Sequence, residues 1–492
     1  MKTITDTDCE FWPPCLTFSF ADEFRAAKFG DARLTNRAIR FADSALRHPE
    51  SSIPRMAGGA ASAEGLYRFI ANDEVTSERI AVPHADQTAA RCRELAAVVL
   101  VLHDTTTFEY GNESCRSGLG DMARGGKGFL SHVSLAVEEG SRRPLGVLAN
   151  HAYVHVSRPM VQDKARASRV NRRDPSDPDN ESARWSEQAL LTGKLLTGVQ
   201  HVHVADREAD DYKFFAALVD AEESFVSRAS TDRRLEDGGK LHTRMAGMVA
   251  QMCREVYLSP RSPAAASKQR KTHPPRQSRM AKLEMSAGTI EIRRPEDAPA
   301  TTPATLRLNY VLVQEVEVPD GCEPVVWRLV TTLPVDTAEQ IARVVDIYRA
   351  RWVIEEFFKA LKTGCAFPKH QLESFEGLCK LLALLLPVAW KLLDLRTLAR
   401  TEPDAPATVV LTPQQVRILR ALHDKQHPKS RLPTIPTVRE ATYAIARLGG
   451  HFKQNGDPGW QTLGYGMQRL LQAEQDALAL RGVPLAPPRA SH

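Results

Sequence analysis

Hydrophobic and polar positions follow a helical period at both ends of the chain and a strand period in the middle. Between residues 19 and 80, apolar side chains recur at roughly helical spacing, and SAEGLYRFIANDEV (62–75) predicts a short helix. Residues 414–482 have the same helical character. From residue 97 the period changes, because AVVLVLHDTTTFEY is a strand-like apolar run that ends in a polar turn. The pattern predicts helical regions on either side of a sheet.

The order of the elements in the middle region indicates the fold class. After the first strand come two strands, a helix, a strand, a helix and a strand, at 129–139, 144–156, 183–196, 201–206, 210–221 and 224–230. Three meandering strands followed by alternating helices and strands make a mixed sheet with helices on its faces. Ribonuclease-H-like folds use this order, so we expect an α/β protein with a ribonuclease-H-like core.

Residues 231–335 interrupt this pattern. The pieces TIEIRR, LRLNYVLVQEVEV and VVWRLVTTLPV predict strands, and the segment 259–282 holds seven Lys or Arg and no acid, which favours a loop that lies against phosphates. We therefore expect a β-rich subdomain inserted at about 231–335. The predicted domains are a helical N-terminal domain at 1–80, an α/β domain at 81–398 that contains the insertion, and a helical C-terminal domain at 399–492.

Composition narrows the class of protein only moderately. The 492 residues carry a net charge of +5, which is compatible with nucleic-acid binding and does not prove it. None of the eight cysteines forms a C-x-x-C pair, so reduced thiols in the cytoplasm are the simplest interpretation. The apolar run LLALLLPVAW (381–390) is too short to span a bilayer, so we expect no membrane association.

Two aspartates end predicted strands at the edge where α/β sheets bind ligands. Asp104 ends the first strand, in VLHDTTTFEY, and Asp206 ends the fourth, in HVHVADREAD. The carboxyl ends of neighbouring strands form the ligand-binding crevice, and the first and fourth strands of this fold order are neighbours. Two carboxylates brought together require a cation or a proton. Aspartate is also common at strand ends because it starts turns, so the pair alone leaves a structural role open.

The segment YRARWVIEEFFKALK (348–362) predicts a helix with a polar stripe beside an apolar face. At about 100° per residue, the stripe is about 60° wide and contains Tyr348, Arg351, Glu355 and Lys362. The apolar face contains Ile347, Ile354, Phe357, Phe358 and Leu361. Glu356 falls off the stripe. Ion pairs such as Arg351–Glu355 are frequent on helices, so the stripe alone does not establish a site.

Asp104, Asp206 and Glu355 together supply three carboxylates. Oxygen-rich sites of this kind suit Mg²⁺ or Mn²⁺, and two such ions about 3.5–4 Å apart support phosphodiester chemistry. The other residues of the stripe can hold a phosphate backbone. His201 and His203 share one strand face and can also bind a metal, but we favour a structural role for them.

The sequence resembles the bacterial insertion-sequence DDE transposases, in the subgroup with a Y-(2)-R-(3)-E-(6)-K signature that includes the transposon-five transposase. Tyr348, Arg351, Glu355 and Lys362 meet this spacing in full. The similarity extends in the same order over nearly the whole chain, through YRFI at Tyr67, HDTTTFEY around Asp104, DREAD from Asp206, FVSR ending at Arg228, WRLVTTLPV from Trp327 and AIARLGG at 444–450.

The resemblance implies cut-and-paste transposition by two metal ions held on Asp104, Asp206 and Glu355. Water nicks the end of the element, the freed 3′-hydroxyl forms a hairpin on the opposite strand, water reopens the hairpin, and the 3′-hydroxyl attacks target DNA. Trp327 is expected to stack on a flipped base. Residues expected to contact phosphates near that base are Tyr348, Arg351 and Lys362, with Arg228 assisting and Lys359 as a weaker candidate.

The resemblance also implies partners. The N-terminal domain, with Arg33, Arg37 and Arg68, is expected to bind the inverted-repeat ends of the element. The C-terminal domain is expected to pair two copies into a homodimer in which one subunit binds an end and the other cuts it. Two other functions stay open: a non-catalytic DNA-binding regulator derived from a transposase, and a metal-dependent nuclease without strand transfer.

Overall fold

The structure is a computed structural model that describes residues 22–47, 53–57, 59–111, 115–122, 125–154, 181–258, 277–296, 298–452 and 456–481. The basic segment predicted at 259–282 lies outside the described residues up to residue 276. The strands are β1 (Val99–Tyr110), β2 (Gly120–Asp121), β3 (Lys127–Glu138), β4 (Pro144–Tyr153), β5 (His201–Ala205), β6 (Phe225–Arg228), β7 (Met252–Leu258), β8 (Arg279–Arg293), β9 (Thr305–Val316) and β10 (Val326–Thr331).

The described helices agree with the predicted division of the chain into helical ends and a mixed middle. They are α1 (Asp22–Arg25), α2 (Ala32–Arg47), α3 (Ile53–Met56), α4 (Ala60–Ile70), α5 (Ser77–Leu95), α6 (Glu181–Leu195), α7 (Tyr212–Asp220), α8 (Leu241–Ala246), α9 (Ala338–Ala350), α10 (Trp352–Lys359), α11 (Phe375–Thr401), α12 (Pro413–Gln426), α13 (Val438–Leu448) and α14 (Trp460–Arg481). The predicted strands and helices between residues 97 and 230 occur within a few residues of their expected bounds. Among the described residues, no helix is both long and apolar enough to cross a membrane.

The chain forms two compact units. One contains the described residues of Ala96–Asp104 and Arg158–Trp352, and the other those of Met1–Leu95, Thr105–Ser157 and Val353–His492. We call the first the β1–β10 unit, after the first and last of its strands along the chain, and the second the α11 unit, after its longest helix. Strands β2, β3 and β4 belong to the α11 unit. The predicted domain bounds at residues 80 and 398 do not coincide with the bounds of these units.

In the β1–β10 unit the strand order is β1-β5-β6-β10-β9-β8-β7. β1, β5 and β6 are parallel, and β10, β9, β8 and β7 continue the sheet as antiparallel strands. Val99–Leu102 of β1 is a continuous buried apolar run, as expected for a parallel strand that is covered on both faces. The strands of the predicted insertion therefore extend the sheet within the same compact unit.

Helices complete the β1–β10 unit. α6 and α7 pack against each other, with Trp185 beside Phe214 and the ring of Phe215 stacked on that of Phe225 at 5.4 Å between centroids. α9 begins at a capping box in which the side chain of Thr337 accepts from the backbone N–H of Gln340. These contacts give α9 a defined start, and α9 carries Tyr348 near its end.

The α11 unit is built around a helix that is buried on nearly every side. α11 contains 27 residues, and its indole Trp390 donates from Nε1 to the carbonyl of Pro144 at 2.8 Å. α13 and α14 cross closely at two glycines, because a Cβ at Gly449 or at Gly466 would collide with backbone atoms of the other helix. The C-terminal helices of this unit thus depend on glycine at the crossing.

Candidate active site

Asp104 and Asp206 lie at the same level of neighbouring parallel strands. Leu102 of β1 is opposite Val204 of β5, and each aspartate follows two residues later. Asp206 keeps an extended backbone, with φ −92° and ψ −170°, so the strand direction continues through it. Because side chains alternate between the faces of a sheet, both carboxylates leave the same face, and neighbouring strands are about 4.8 Å apart. Asp206 directly follows the last residue of β5, as predicted. The prediction that Asp104 ends its strand is wrong, because β1 continues to Tyr110 and Asp104 lies within it.

Each carboxylate is held by a specific donor. Asp206 caps a single 3₁₀ turn, Arg207–Ala209, and its Oδ1 accepts from the backbone N–H of Glu208 at 2.8 Å. Oδ2 of Asp104 accepts from Nη1 of Arg351 at 2.7 Å, and both side chains of this ion pair are largely buried. Charge-assisted hydrogen bonds of this length fix the orientation of a carboxylate. Sequence reasoning had placed Arg351 on DNA and did not foresee this bond.

Tyr348, Trp327 and Arg228 form an aromatic and cationic group in the same unit. The rings of Trp327 and Tyr348 are 5.6 Å apart between centroids at an interplanar angle of 64°. Trp327 is half-buried, and Nη2 of Arg228 donates to the carbonyl of Val326 at 3.3 Å. The structure thus brings together three residues that span 120 positions of the sequence, from Arg228 to Tyr348.

The hydroxyl of Tyr348 lies in a field set by charged neighbours. Burial raises the pKa of Tyr348, and the positive charges of Arg228 and Arg351 oppose that rise while Asp206 adds to it. The net pKa shift is upward, so the phenol stays protonated at neutral pH. A protonated phenol can donate to an anionic oxygen and accept from another group.

Asp210 supports the loop that follows Asp206. Its Oδ2 accepts from the backbone N–H groups of Ser230 and Thr231 at 2.7 and 2.6 Å, and its Oδ1 accepts from Nη2 of Arg233 at 2.7 Å. The side chains of Asp210 and Arg233 are 1 % and 7 % exposed. This buried ion pair joins the turn after β5 to the turn after β6. Sequence reasoning missed it, although Asp210 is the last residue of the DREAD segment.

Glu355, Lys359 and Lys362 belong to the α11 unit. The residue after Glu355 on α10, Glu356, accepts a hydrogen bond from Nζ of Lys359 at 2.7 Å. A carboxylate oxygen of Glu356 also lies 3.6 Å from Nη1 of Arg396. Nζ of Lys362 lies 5.4 Å from the ring centroid of Phe108. The predicted apolar face is buried at all of its members, which are Ile347, Ile354, Phe357, Phe358 and Leu361.

The helix that carries these residues is less regular than the sequence predicted. A turn at Arg351 separates α9 from α10, and residues Ala360–Gly364 form a π-helix. Because a π turn contains more residues than an α turn, it shifts Lys362 from the 100° spacing that the sequence prediction assumed. π turns of this kind are frequent at functional sites. Glu355 precedes the π turn and is not shifted by it.

The predicted DNA-contacting arginines of the N-terminal region are exposed. The side chain of Arg33 is 90 % exposed and pairs with Asp31 at 3.0 Å, and Arg68 is 75 % exposed and pairs with Glu64. Arg37 donates from Nη1 to the carbonyl of Gly65, which links α2 to α4. Arg33 and Arg68 are therefore available to a partner, whereas Arg37 also has an internal role.

Three family models match consecutive parts of the chain. Transposase DNA-binding matches residues 19–75, transposase DDE domain matches residues 179–389, and transposase Tn5 dimerisation domain matches residues 387–481. The DDE match indicates an enzyme of the polynucleotidyl-transferase and nuclease class. Together the three matches support a Tn5-like DDE transposase with a DNA-binding and a dimerisation region.

Among solved structures, the chain is similar to the cryo-EM structure of a piggyBac transposase synaptic complex with hairpin DNA. The sequence identity is 8 %, the TM-score is 0.38, and the match covers 97 % of this chain and 85 % of that chain. A TM-score this low does not establish a shared fold. The assignment as a transposase therefore depends on the family models.

The donor atoms present fit a hard divalent cation. Asp104 and Asp206 offer carboxylate oxygens at one level of the sheet, and oxygen is the ligand that Mg²⁺ and Mn²⁺ prefer. DDE transposases in general use divalent metal ions. Oδ2 of Asp104 accepts from Arg351 at 2.7 Å, so this guanidinium compensates part of the charge that the two carboxylates bring together.

Proposed function

We propose that the protein is a cut-and-paste DNA transposase that excises an insertion sequence at its ends and joins it to target DNA. The observation that supports this most strongly is the parallel register of β1 and β5, which sets Asp104 and Asp206 side by side. The full Y-R-E-K spacing from Tyr348 to Lys362 and the DDE family match add to it. The fold proposed is a ribonuclease-H-like core, with β1, β5 and β6 as neighbouring parallel strands.

In this proposal Asp104, Asp206 and Glu355 hold two Mg²⁺ or Mn²⁺ ions. Such a pair, when bound, activates the attacking oxygen and stabilises the leaving oxygen of a phosphodiester. The same three carboxylates serve the first nick, hairpin formation, hairpin opening and strand transfer. The 2.7 Å bond from Arg351 keeps the carboxylate of Asp104 oriented before DNA arrives.

The residues around the carboxylates hold the DNA. Arg351 and Lys362 neutralise phosphates, and the protonated hydroxyl of Tyr348 donates to a phosphate oxygen. Trp327 offers a half-buried indole on which a base extruded from the duplex can stack. Arg228 assists from the end of β6, and Lys359, whose ammonium group donates to Glu356, is a weaker candidate.

The assembly proposed is a homodimer on two element ends. The exposed Arg33 and Arg68, together with Arg37, contact an inverted repeat through the N-terminal domain, for which we propose residues 1–80. Residues 399–492 pair the two copies, and residues 81–398 carry the chemistry. We propose a cytoplasmic protein that acts at the nucleoid.

One reaction separates the candidate functions. The full chain is incubated with Mg²⁺ and end-labelled DNA that carries the inverted-repeat ends of the element, together with a supercoiled target plasmid. Hairpin-ended products and plasmid insertions are expected for the transposase. Nicked DNA without hairpins or insertions would indicate a metal-dependent nuclease. DNA whose gel mobility is shifted but which stays uncut would indicate a DNA-binding regulator.

Asp104→Asn makes the test specific to the proposed metal site. This variant is expected to bind the end DNA and to cut it no faster than background, because it loses a charged ligand while keeping its shape. Asp211→Asn is the matched control, since Asp211 caps α7 five residues after Asp206 and asparagine caps helices equally well. Cleavage retained by Asp104→Asn would refute the assignment of Asp104.

A further inference from the structure

Two histidines and a glutamate converge at the start of β5, away from the two aspartates. One ligand atom from each of His201, His203 and Glu223 lies within 4.8 Å of the other two. His201 begins β5, and Glu223 lies in the turn that leads into β6. Because side chains alternate along a strand, His203 leaves the face of the sheet opposite to that of Asp206. The cluster is therefore distinct from the candidate active site.

Both imidazole rings are held in place by a contact to Nδ1, the ring nitrogen that does not face Glu223. Nδ1 of His201 lies 2.8 Å from the carbonyl of Val199, and a carbonyl only accepts, so Nδ1 carries a proton. Nε2 of His201 faces Glu223, and a bound metal ion would replace the proton on this nitrogen. Nδ1 of His203 lies 2.9 Å from Nε2 of His103. Metal-ligating histidines are held in this way, with one ring nitrogen bonded to a carbonyl or another polar group and the other on the metal.

The forward-facing nitrogens point at one carboxylate oxygen. Nε2 of His201 is 2.7 Å and Nε2 of His203 is 3.4 Å from Oε2 of Glu223. Within the part of the chain that the structure describes, Nε2 of His203 is buried and makes no hydrogen bond of regular geometry, although Oε2 of Glu223 is 3.4 Å away. Ligands on a tetrahedral zinc ion at bond lengths of about 2.0–2.1 Å are about 3.3 Å apart. The distance from His203 to Glu223 already has this length, and the distance from His201 to Glu223 would lengthen by about 0.6 Å.

Glycine at position 193 allows the carboxylate to reach this place. Gly193 lies in α6, and a Cβ there would collide with the carboxylate of Glu223. The histidines are 11 % and 0 % exposed, and Glu223 is 16 % exposed, so the cluster is largely shielded but open on one side. A buried nitrogen without a regular hydrogen bond, two oriented imidazole rings and the space that Gly193 leaves for a carboxylate are the features of a built site.

We propose that His201, His203 and Glu223 bind a zinc-class transition-metal ion, with water as the fourth ligand. Two imidazoles and one carboxylate suit zinc, whereas Mg²⁺ and Ca²⁺ prefer all-oxygen sites. The ion ties the start of β5 to the turn before β6. β5 leads to Asp206, β6 ends at Arg228, and the residue behind His203 is His103, which precedes Asp104. The metal thus has a structural role: it links β5 and the turn before β6 on the face of the sheet opposite to Asp206.

The test measures zinc on the full chain after chelation and gel filtration. The protein is incubated with Zn²⁺ in excess Mg²⁺, which occupies the carboxylate site, and bound zinc and Tm are recorded. Wild type is expected to hold about one more zinc per chain than Glu223→Gln or His203→Ala, and only its Tm should rise with zinc. Visible absorption from tetrahedral Co²⁺ should likewise be present in wild type and absent in the variants.

His370→Ala is the matched control, because His370 is also a buried histidine and its Nε2 lies 3.2 Å from the carbonyl of Cys365. This control should keep the zinc. Glu223→Gln retains a hydrogen-bonding side chain, so it stays informative if His203→Ala fails to fold. Equal zinc content in wild type and Glu223→Gln would overturn the proposal and leave an internal histidine–carboxylate ion pair. None of these readouts depends on DNA cleavage.

Discussion

The buried ion pair between Asp210 and Arg233 offers a sharp test of how the loop after Asp206 is held. Asp210→Ala removes the acceptor of five hydrogen bonds, from the amides of Ser230 and Thr231, the hydroxyl of Ser230 and two nitrogens of Arg233. It leaves the guanidinium of Arg233 only 7 % exposed and without its carboxylate. Arg233 keeps one bond, from Nη2 to the backbone carbonyl of residue 210 at 2.6 Å. That single bond does not compensate for a buried charge.

The magnitude follows from burial. Removing one partner of a buried ion pair costs about 3–5 kcal/mol, because an uncompensated charge stays behind. Ser230 and Thr231 are exposed, so water can reach their amides and they add little. Arg233 holds the pKa of Asp210 below its ordinary value although burial alone would raise it. The stabilisation is therefore present above about pH 4 and is lost as pH falls through the lowered pKa.

The assay is urea unfolding of wild type, Asp210→Ala, Arg233→Met and the double variant at pH 7. We expect Asp210→Ala to lose about 3–5 kcal/mol and the double variant to recover part of that loss, since no charge remains unpaired. The control is Asp121→Ala, which breaks an exposed pair with Lys127 and should cost about 0–1 kcal/mol. A loss below about 1 kcal/mol for Asp210→Ala, or simple additivity, would refute the reasoning.

Three further predictions test other parts of the account. Trp327→Ala should slow hairpin formation more than the first nick, because only the hairpin needs the extruded base, and equal slowing of both steps in a gel assay would contradict this role. Gly466→Ala should destabilise the crossing of α13 and α14 by more than about 1–3 kcal/mol in urea, because the added Cβ collides with backbone, while Gly140→Ala, where a Cβ meets nothing, should cost little. Burial lowers the pKa of His84, although Glu23 opposes that shift. The neutral form of His84 therefore stabilises the folded protein fully above about pH 6.5, and this stabilisation is lost as pH falls through the lowered pKa. Unfolding of His84→Gln should therefore depend less on pH between 7 and 5, and an unchanged pH dependence would exclude this histidine as a cause.

Much of the fold follows from local patterns in the sequence. The continuous apolar run of β1 predicts a strand covered on both faces, and the order of the elements predicts that β1 and β5 are neighbours, which brings Asp104 level with Asp206. The end of β1 was predicted wrongly, because the polar residues after Asp104 still belong to the strand. The apolar face beside the Y-R-E-K stripe is buried as its spacing predicts. Each of these features depends on short-range periodicity, which side-chain burial enforces directly.

The features that the sequence did not predict depend on long-range contacts. Pairing of β10 with β6, which extends the sheet through the predicted insertion, joins residues about 100 positions apart, and no local pattern specifies it. The bond from Arg351 to Asp104 has the same character. The π turn at Ala360–Gly364 cannot be read from periodicity either, because its residues are ordinary helix formers apart from the last two.

The convergence of His201, His203 and Glu223 depends on the turn between α7 and β6. The two histidines on one strand face were visible in the sequence, but the glutamate 20 residues after His203 was not tied to them by any motif. A third ligand from a separate element changes a weak pair into a candidate site.

The central claim is that the Glu355 carboxylate, and not that of its neighbour, serves the chemistry. The direct measurement compares Mg²⁺-dependent cleavage of end DNA by Glu355→Gln and Glu356→Gln, with folding checked by circular dichroism and binding by gel shift. Glu356 pairs with Lys359 and Arg396, so its variant should lose some stability and keep cleavage. Glu355→Gln should bind DNA and leave it uncut. Cleavage by Glu355→Gln, or its loss in a folded Glu356→Gln protein alone, would contradict the account.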